Sequence, residues 1–490
     1  MNTNFNPETS KNFSISKNYT SRKRNDFNDL RLEKTYSYYV ESVVRSGKVS
    51  ILQSTQDESE ATRVYRFLNN KKVTMPELIN KSCQINCEVQ LNRHLLVLGD
   101  SAIMNMSTKI NRIKDANKMG TVQGGKVHGF YVHPCMVMCP KTSTILGLSD
   151  ILLWNQIKPK VKKNFKKMSL EDKASYRWHL GVSNTKKVLK EAAKLTYVFD
   201  READSFELLH HIQEKIKEYF VIRQSQNRLI KTDEKKIRIL NLLEQGGEKL
   251  GEYQIEIDAK TRSHWRYKKN PKFRKKRTAK MEVKVLKQVE LLPTESSKKG
   301  LSPIKLNLVE VKEMDCSPSD KDPVIWRLWT NHPIDSLEQA LEVVGYYLER
   351  WNIEELFRTV KKKGFNQEDT LLETTQAIMK QTVITLTAAC KIMQLVKARG
   401  NEESQPIEEV FEKDEIEVLE KLNKKLNGKT EKQKNHNFPE KLSWASWIIA
   451  RLGGWKGYES KRPPGVITMK RGYDKFCIYM EAYHHIFEIE

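Results

Sequence analysis

From Asp29 to Arg93 apolar residues recur at helical spacing, through Leu30, Leu32, Tyr39, Val43 and Val44 and again through Val64, Tyr65, Phe67 and Leu68. That period predicts a small helical domain over 29–93. The pattern then changes to short apolar runs at 95–98, 127–138 and 145–148, which read as strands. A helix is expected over about 170–193, followed by strands at 196–199 and 220–223. Strands interleaved with helices predict an α/β core. Alternating strands at 253–257, 281–285 and 304–311 follow, and then a long helix over 336–363. Ser336 with Gln339 forms a capping box at its start, and Gly364 closes it. Beyond it the chain reads as almost all helical to about Leu452, apart from a polar stretch at 401–437.

Composition adds partners to this outline. The 490 residues exceed the ~250 at which a single core stops growing, so about two to four domains are expected. With 86 Lys and Arg against 62 Asp and Glu, the formal charge is +24, which favours a polyanionic partner. No run of ~18 apolar residues is present to span a bilayer, and no apolar leader opens the chain, so a cytoplasmic protein with no membrane partner is expected. Residues 1–24 hold Asn, Ser, Thr and Lys with almost nothing to bury, and a disordered basic tail over 1–28 is expected. Seven cysteines do not suit a disulfide framework; Cys83/Cys87 and Cys135/Cys139 could be drawn as a zinc site, or simply as buried thiols. The segment 260–280 carries eleven Lys or Arg in 21 residues and no acid. It reads either as a solvated loop or, because Trp265, Tyr267 and Phe273 interleave the charges, as a nucleic-acid contact.

Three acids stand where phosphoryl chemistry would want them. Asp100 ends the apolar run LLVLGD and Asp200 ends LTYVFD. Carboxylates at strand ends face the crevice of an α/β sheet, where hard oxygen ligands suit Mg²⁺. Each could instead cap a following turn. On the long helix, Tyr347, Arg350, Glu354 and Lys361 are spaced 3, 4 and 7 apart. At about 100° per residue they fall within roughly 60° of one another, on one face. That stripe is either a salt-bridged solvent face or a grip on a phosphodiester, and Trp351 beside it favours the grip.

The stretch Asp200-Arg201-Glu202-Ala203-Asp204 and the Y-x2-R-x3-E-x6-K pattern of Tyr347, Arg350, Glu354 and Lys361 resemble the insertion-sequence-four family of DDE transposases, in its Tn-five-type branch. The likeness extends in collinear order through Tyr65 to Leu68, Asp100, Gly129 to His133, Phe220 to Arg223, Trp326 to Thr330 and Ala450 to Gly454. Two departures are Ser101-Ala102, where the family usually shows two threonines, and Asn352 in place of a basic residue.

The resemblance implies an RNase H-like catalytic core over 94–374 with a β-strand insertion at about 230–325, flanked by a helical N-terminal domain that binds DNA ends and a helical C-terminal dimerisation domain over 375–490. It implies Asp100, Asp200 and Glu354 as catalytic carboxylates that bind two Mg²⁺ ions, with Mn²⁺ able to substitute. Tyr347, Arg350, Lys361 and Arg223 would hold phosphates, Trp326 would stack on a flipped base and Trp351 would fill space beside it, while Lys48, Tyr65 and Arg66 are candidates for end recognition. The implied activity is cut-and-paste transposition: nicking at inverted-repeat ends, hairpin formation and resolution, and strand transfer into target DNA by a homodimer in a bacterial, nucleoid-associated setting. The rival reading is a non-catalytic DNA-binding inhibitor or a decayed element.

Overall fold

The structure is a computed structural model and describes residues 27, 29–85, 87–155, 170–171, 173–231, 236–257, 260–262, 272–274, 276–293, 300–314, 323–458 and 463–487. The tail expected to be disordered, 1–28, lies outside these residues except for Phe27. The chain forms two compact units. The first gathers residues up to 163, 180–193 and 351 onward; the second gathers 164–179 and 194–350.

The first unit opens with the helices Leu30–Ser46, Glu58–Asn69 and Met75–Ser82. Each begins where a side chain satisfies an orphan amide: Asp29 accepts from Arg31 N, Asp57 from Glu60 N, and Thr74 pairs with Glu77 in a capping box beside Pro76. The helix Leu30–Ser46 stops at Gly47, whose φ of 60° places it in the left-handed region. These helices pack on Thr375–Ala398, a helix buried on nearly every face, which also meets Leu442–Leu452 and Val466–Phe487. A helix buried on nearly every face belongs in a core, and this one is the unit's centre.

Strands β1 (His94–Gly99), β2 (Ala102–Asn105), β3 (Thr121–Val122), β4 (Val127–Cys139) and β5 (Thr144–Trp154) complete the first unit. The long β4 pairs antiparallel with all the others. It crosses β2 so closely at Gly129 that a Cβ would sit 2.0 Å from the Met104 carbonyl oxygen, so only glycine fits there. Cys83 and Cys135 are buried and Cys87 is exposed, and burial pushes the Cys83 and Cys135 thiols up.

Asp150 on β5 is also fully buried, with Asn184 Nδ2 donating to it at 3.1 Å. Burial pushes its carboxyl from the ordinary 3.8 up to about 7. A raised acid binds its proton more tightly in the fold, so stability falls as pH rises through that window and stays reduced above it. Asp150→Asn is therefore expected to melt higher than the parent at pH 8 and near it at pH 4. A melting-temperature difference that does not change with pH would contradict this.

The second unit contains β6 (Lys194–Phe199), β7 (Tyr219–Arg223), β8 (Leu229–Lys231), β9 (Lys236–Arg238), β10 (Glu248–Ile257), β11 (Lys260–Arg262), β12 (Lys272–Arg274), β13 (Arg277–Leu291), β14 (Ile304–Glu313) and β15 (Ile325–Thr330). Its main sheet runs β6-β7-β15-β14-β13-β8-β9, with β10 also on β13. Only β6 and β7 pair in parallel in that order. A short helix, Phe206–His210, and a π-turn, His211–Ile216, make the crossover between them. The helix Leu337–Glu349 packs on β6 and β7.

Two expectations change here. The segment 260–280 is not simply a loop: its ends form the β11–β12 hairpin and its last residues, from Arg277, begin β13. Trp265 and Tyr267 lie outside the described residues. The helix expected over 336–363 is divided into Leu337–Glu349 and Trp351–Arg358, and a π-turn, Thr359–Lys363, precedes Gly364.

Candidate active site and nucleic-acid surface

In the first unit, β1 ends in Gly99 and hands the chain to Asp100, which is half-buried. The backbone N–H of Ser101 donates to Asp100 Oδ1 at 2.7 Å, so the carboxylate is aimed by its own turn. The Ser101 hydroxyl lies 3.0 Å from Nδ1 of the fully buried His133 on β4. The helix Trp351–Arg358 packs on β1, burying Ile353, Leu356 and Phe357 and leaving Glu354 half-buried. Trp351 is 49% exposed. Lys361 stands in the π-turn, whose extra residue breaks the 100° reckoning that placed it on the stripe. Its Nζ is 3.1 Å from Glu368, and Glu368 Oε1 accepts from Asn105 N at 2.9 Å.

In the second unit, β6 is buried along its length and ends at Asp200. Tyr347, only 5% exposed, donates its hydroxyl to Asp200 Oδ1 at 3.2 Å. Burial, then the Asp200 charge, pushes the Tyr347 phenol up, while the Arg223 and Arg350 charges pull it down. The phenol therefore stays protonated and donating at neutral pH. The Arg350 guanidinium lies 5.7 Å from the centre of the Tyr347 ring, and the Trp326 ring is 6.2 Å away, tilted by 59°. Trp326 is half-exposed; its neighbour Trp329 is the core indole of β15, fully buried. The carboxylate, the phenol, two guanidinium groups and an indole thus share one corner.

A fourth acid organises that corner. Asp204 Oδ2 accepts from Ser225 N, Ser225 Oγ and Gln226 N at 2.7, 3.0 and 3.1 Å, and Oδ1 accepts from Arg228 Nη2 at 2.6 Å. Both side chains are almost wholly buried. This carboxylate holds the loop that follows Arg223, a role that sequence reading missed although the residue sits inside the quoted motif.

Of the N-terminal candidates, Lys48 and Arg66 are exposed and Tyr65 is half-buried. Tyr65 and Arg66 lie on Glu58–Asn69, whose C-terminal end is capped by the buried Lys380: Nζ donates to the carbonyls of Leu68 and Asn70, both at 2.9 Å. Burial lowers that amine to about 8. Among the described residues, no group of three or more His, Cys, Asp or Glu side chains is gathered to hold a metal ion, and no helix is long and apolar enough to cross a membrane.

Two family models match this chain. Residues 21–73 match the one described as transposase DNA-binding, and residues 182–391 match the one described as transposase DDE domain. The matches support a DDE transposase. Lys48, Tyr65 and Arg66 lie within the DNA-binding match. Asp200, Arg223, Trp326, Tyr347, Arg350, Trp351, Glu354 and Lys361 lie within the DDE match, and Asp100 lies outside both. Asp100 therefore rests on its strand-end geometry and its sequence context alone.

Proposed function

We propose that the chain is a cut-and-paste transposase of the Tn-five type, with an RNase H-like core in which Asp100, Asp200 and Glu354 act together. The observation that carries this reading is the hydrogen bond from Tyr347 to Asp200, which ties the D-R-E-A-D strand end to the tyrosine of the Y-R-E-K pattern. The donor set is all carboxylate, the hard-oxygen chemistry that Mg²⁺ takes, and each of the three acids is half-buried rather than sealed in the core. Bound Mg²⁺ would supply Lewis-acid stabilisation of the attacking and leaving oxygens, with Mn²⁺ able to replace it.

The protein's own residues do the rest. Tyr347 fixes one Asp200 oxygen by hydrogen bonding and so directs the other outward. Arg223, Arg350 and Lys361 hold phosphates of the transposon end, placing the scissile bond. Water cleaves one strand, the freed 3′-hydroxyl attacks the opposite strand to close a hairpin, water reopens it, and the 3′-hydroxyls join target DNA. Lys48, Tyr65 and Arg66 recognise the end, and a homodimer pairs two ends. Incubating the purified chain with Mg²⁺ and linear DNA carrying the repeats that flank its gene tests this directly: nicked and hairpin products should depend on the repeat. Repeat-specific binding without cleavage in Mg²⁺ or Mn²⁺ would overturn the reading in favour of a DNA-binding inhibitor.

Trp326 separates this reading from an ordinary nuclease. It is half-exposed against Tyr347, where an indole can receive an extruded base. Losing a stacking partner of ~1–3 kcal/mol corresponds to roughly five- to a hundred-fold in rate. Trp326→Ala is therefore expected to slow hairpin closure by that factor and spare nicking, and an abasic nucleotide at the flipped position should restore part of the loss. Equal loss of both products with a lower melting temperature would make the indole structural.

A further inference from the structure

Lys361, the lysine of the Y-R-E-K set, stands beside an acid that lies outside that set. Its ammonium lies 3.1 Å from Glu368, with both side chains largely buried, at 24% and 30% exposure. Glu368 is itself pinned, because Oε1 accepts from the backbone N–H of Asn105 at 2.9 Å. Asn105 is the last residue of β2, the strand that begins two residues after Asp100. Glu368 also lies within a short turn, Gln367–Asp369, so its backbone is fixed near the lysine that it meets. The result is an anion, anchored by a strand, lying against a cation of the candidate DNA grip.

We propose that Glu368 is the built-in counter-charge of Lys361: it positions the ammonium before DNA arrives and gives it up to a DNA phosphate, setting how tightly and how salt-dependently the chain holds DNA. The proposal rests on the reading of Lys361 as a phosphate contact. A phosphate carries the same charge as the carboxylate and accepts the same hydrogen bonds, so it competes for one ammonium rather than adding a second partner. While Glu368 remains beside the lysine, the pair brings little net positive charge to DNA and releases few counterions.

Glu368→Gln keeps an oxygen that can accept from Asn105 N and removes only the charge. It should bind a duplex carrying the terminal repeat about three- to ten-fold more tightly at 0.15 M salt and steepen the plot of log affinity against log salt by about 0.9, the increment of one phosphate contact. Lys361→Gln should weaken binding and flatten that plot. In the double variant, Glu368→Gln should change nothing further, because its effect passes through Lys361. Glu368→Ala, which also drops the Asn105 bond, should match Glu368→Gln in affinity and melt lower.

The outcomes are distinct. If Lys361→Gln leaves DNA binding unchanged, the phosphate-grip reading of Lys361 fails. If Lys361→Gln weakens binding but Glu368→Gln does not tighten it, the counter-charge proposal fails while the grip stands. If Glu368→Gln gains the same affinity with or without Lys361, Glu368 acts as a distant like charge and the proposal is overturned. The same tightening on a random-sequence duplex is expected, since phosphates carry no sequence.

Discussion

Asp200→Asn is expected to reduce end nicking by at least about a thousand-fold while end binding stays within a few-fold of the parent. Removing a carboxylate from a metal-dependent phosphoryl-transfer site forfeits several kcal/mol of charge stabilisation, and ~4 kcal/mol is about a thousand-fold in rate. The isosteric amide can still accept the Tyr347 hydroxyl, which lies 3.2 Å from Oδ1, so the corner should keep its shape. Asp100→Asn and Glu354→Gln should behave alike if the three act as a unit. Tyr347→Phe provides the graded control. It removes one hydrogen bond to a charged group, worth roughly 1.5–3 kcal/mol, so it should slow cleavage by about ten- to a hundred-fold and no further. The measurement is a single-turnover gel assay in Mg²⁺ and in Mn²⁺, beside a binding titration. Near-parental cleavage by any one carboxylate variant would remove that residue from the site, and equal loss of binding and cleavage would point to a folding defect.

What the sequence revealed and what it hid follow from the range of the interactions. Periodicity is local, so the run at 95–98 became β1, that at 127–138 became β4 and that at 196–199 lies in β6. The strand expected at 281–285 is the middle of a much longer β13, because Lys280 and Lys284 interrupt the apolar run without interrupting the pairing, and the ladder with β14 resumes at Val289 after a register shift. Capping was nearly right: Ser336 accepts from Gln339 N at 3.3 Å, but Gln339 reaches back to Asp335 N rather than to the cap residue. The break at Arg350 and the π-turn at Thr359–Lys363 carry no proline or glycine to announce them.

The candidate site shows the same division. Asp100, Asp200 and Tyr347 stand out in the sequence as candidates because each sits at the end of an apolar run or inside a dense motif. The contacts around these and the other candidates do not, since Ser101 with His133, Glu368 with Asn105 and Lys380 with Leu68 are joined only by the tertiary fold. Lys380 is the plainest case: a lysine on a helix reads as solvent-facing, yet this one is fully buried because two helix-end carbonyls need a donor there. Asp204 hid for the opposite reason. It lies in a motif that also holds Asp200, and a motif does not say which of its acids meets substrate.

Asp204→Ala should therefore cost the fold rather than the chemistry. The Asp204 carboxylate is completely buried and its Arg228 partner nearly so, at 6% exposure, with the two joined at 2.6 Å. Removing one member of a buried ion pair leaves an uncompensated charge and typically costs ~3–5 kcal/mol. For a unit of this size that is a fall in melting temperature of roughly 6–20 °C. Three further hydrogen bonds, from Ser225 and Gln226, are lost with it, so the loop after Arg223 should loosen as well. Adding Arg228→Met to Asp204→Ala should restore part of the loss, because the stranded guanidinium is then gone. Asp204→Asn, which keeps one accepting oxygen, should melt between the two and, assayed below its melting range, should still cleave DNA. The measurements are melting curves for the three variants and a cleavage assay on Asp204→Asn at a temperature where it is folded. A folded Asp204→Asn protein that binds transposon ends but cuts as poorly as Asp200→Asn would show that the last acid of the motif takes part in the chemistry, and would reverse the division of labour drawn from the geometry.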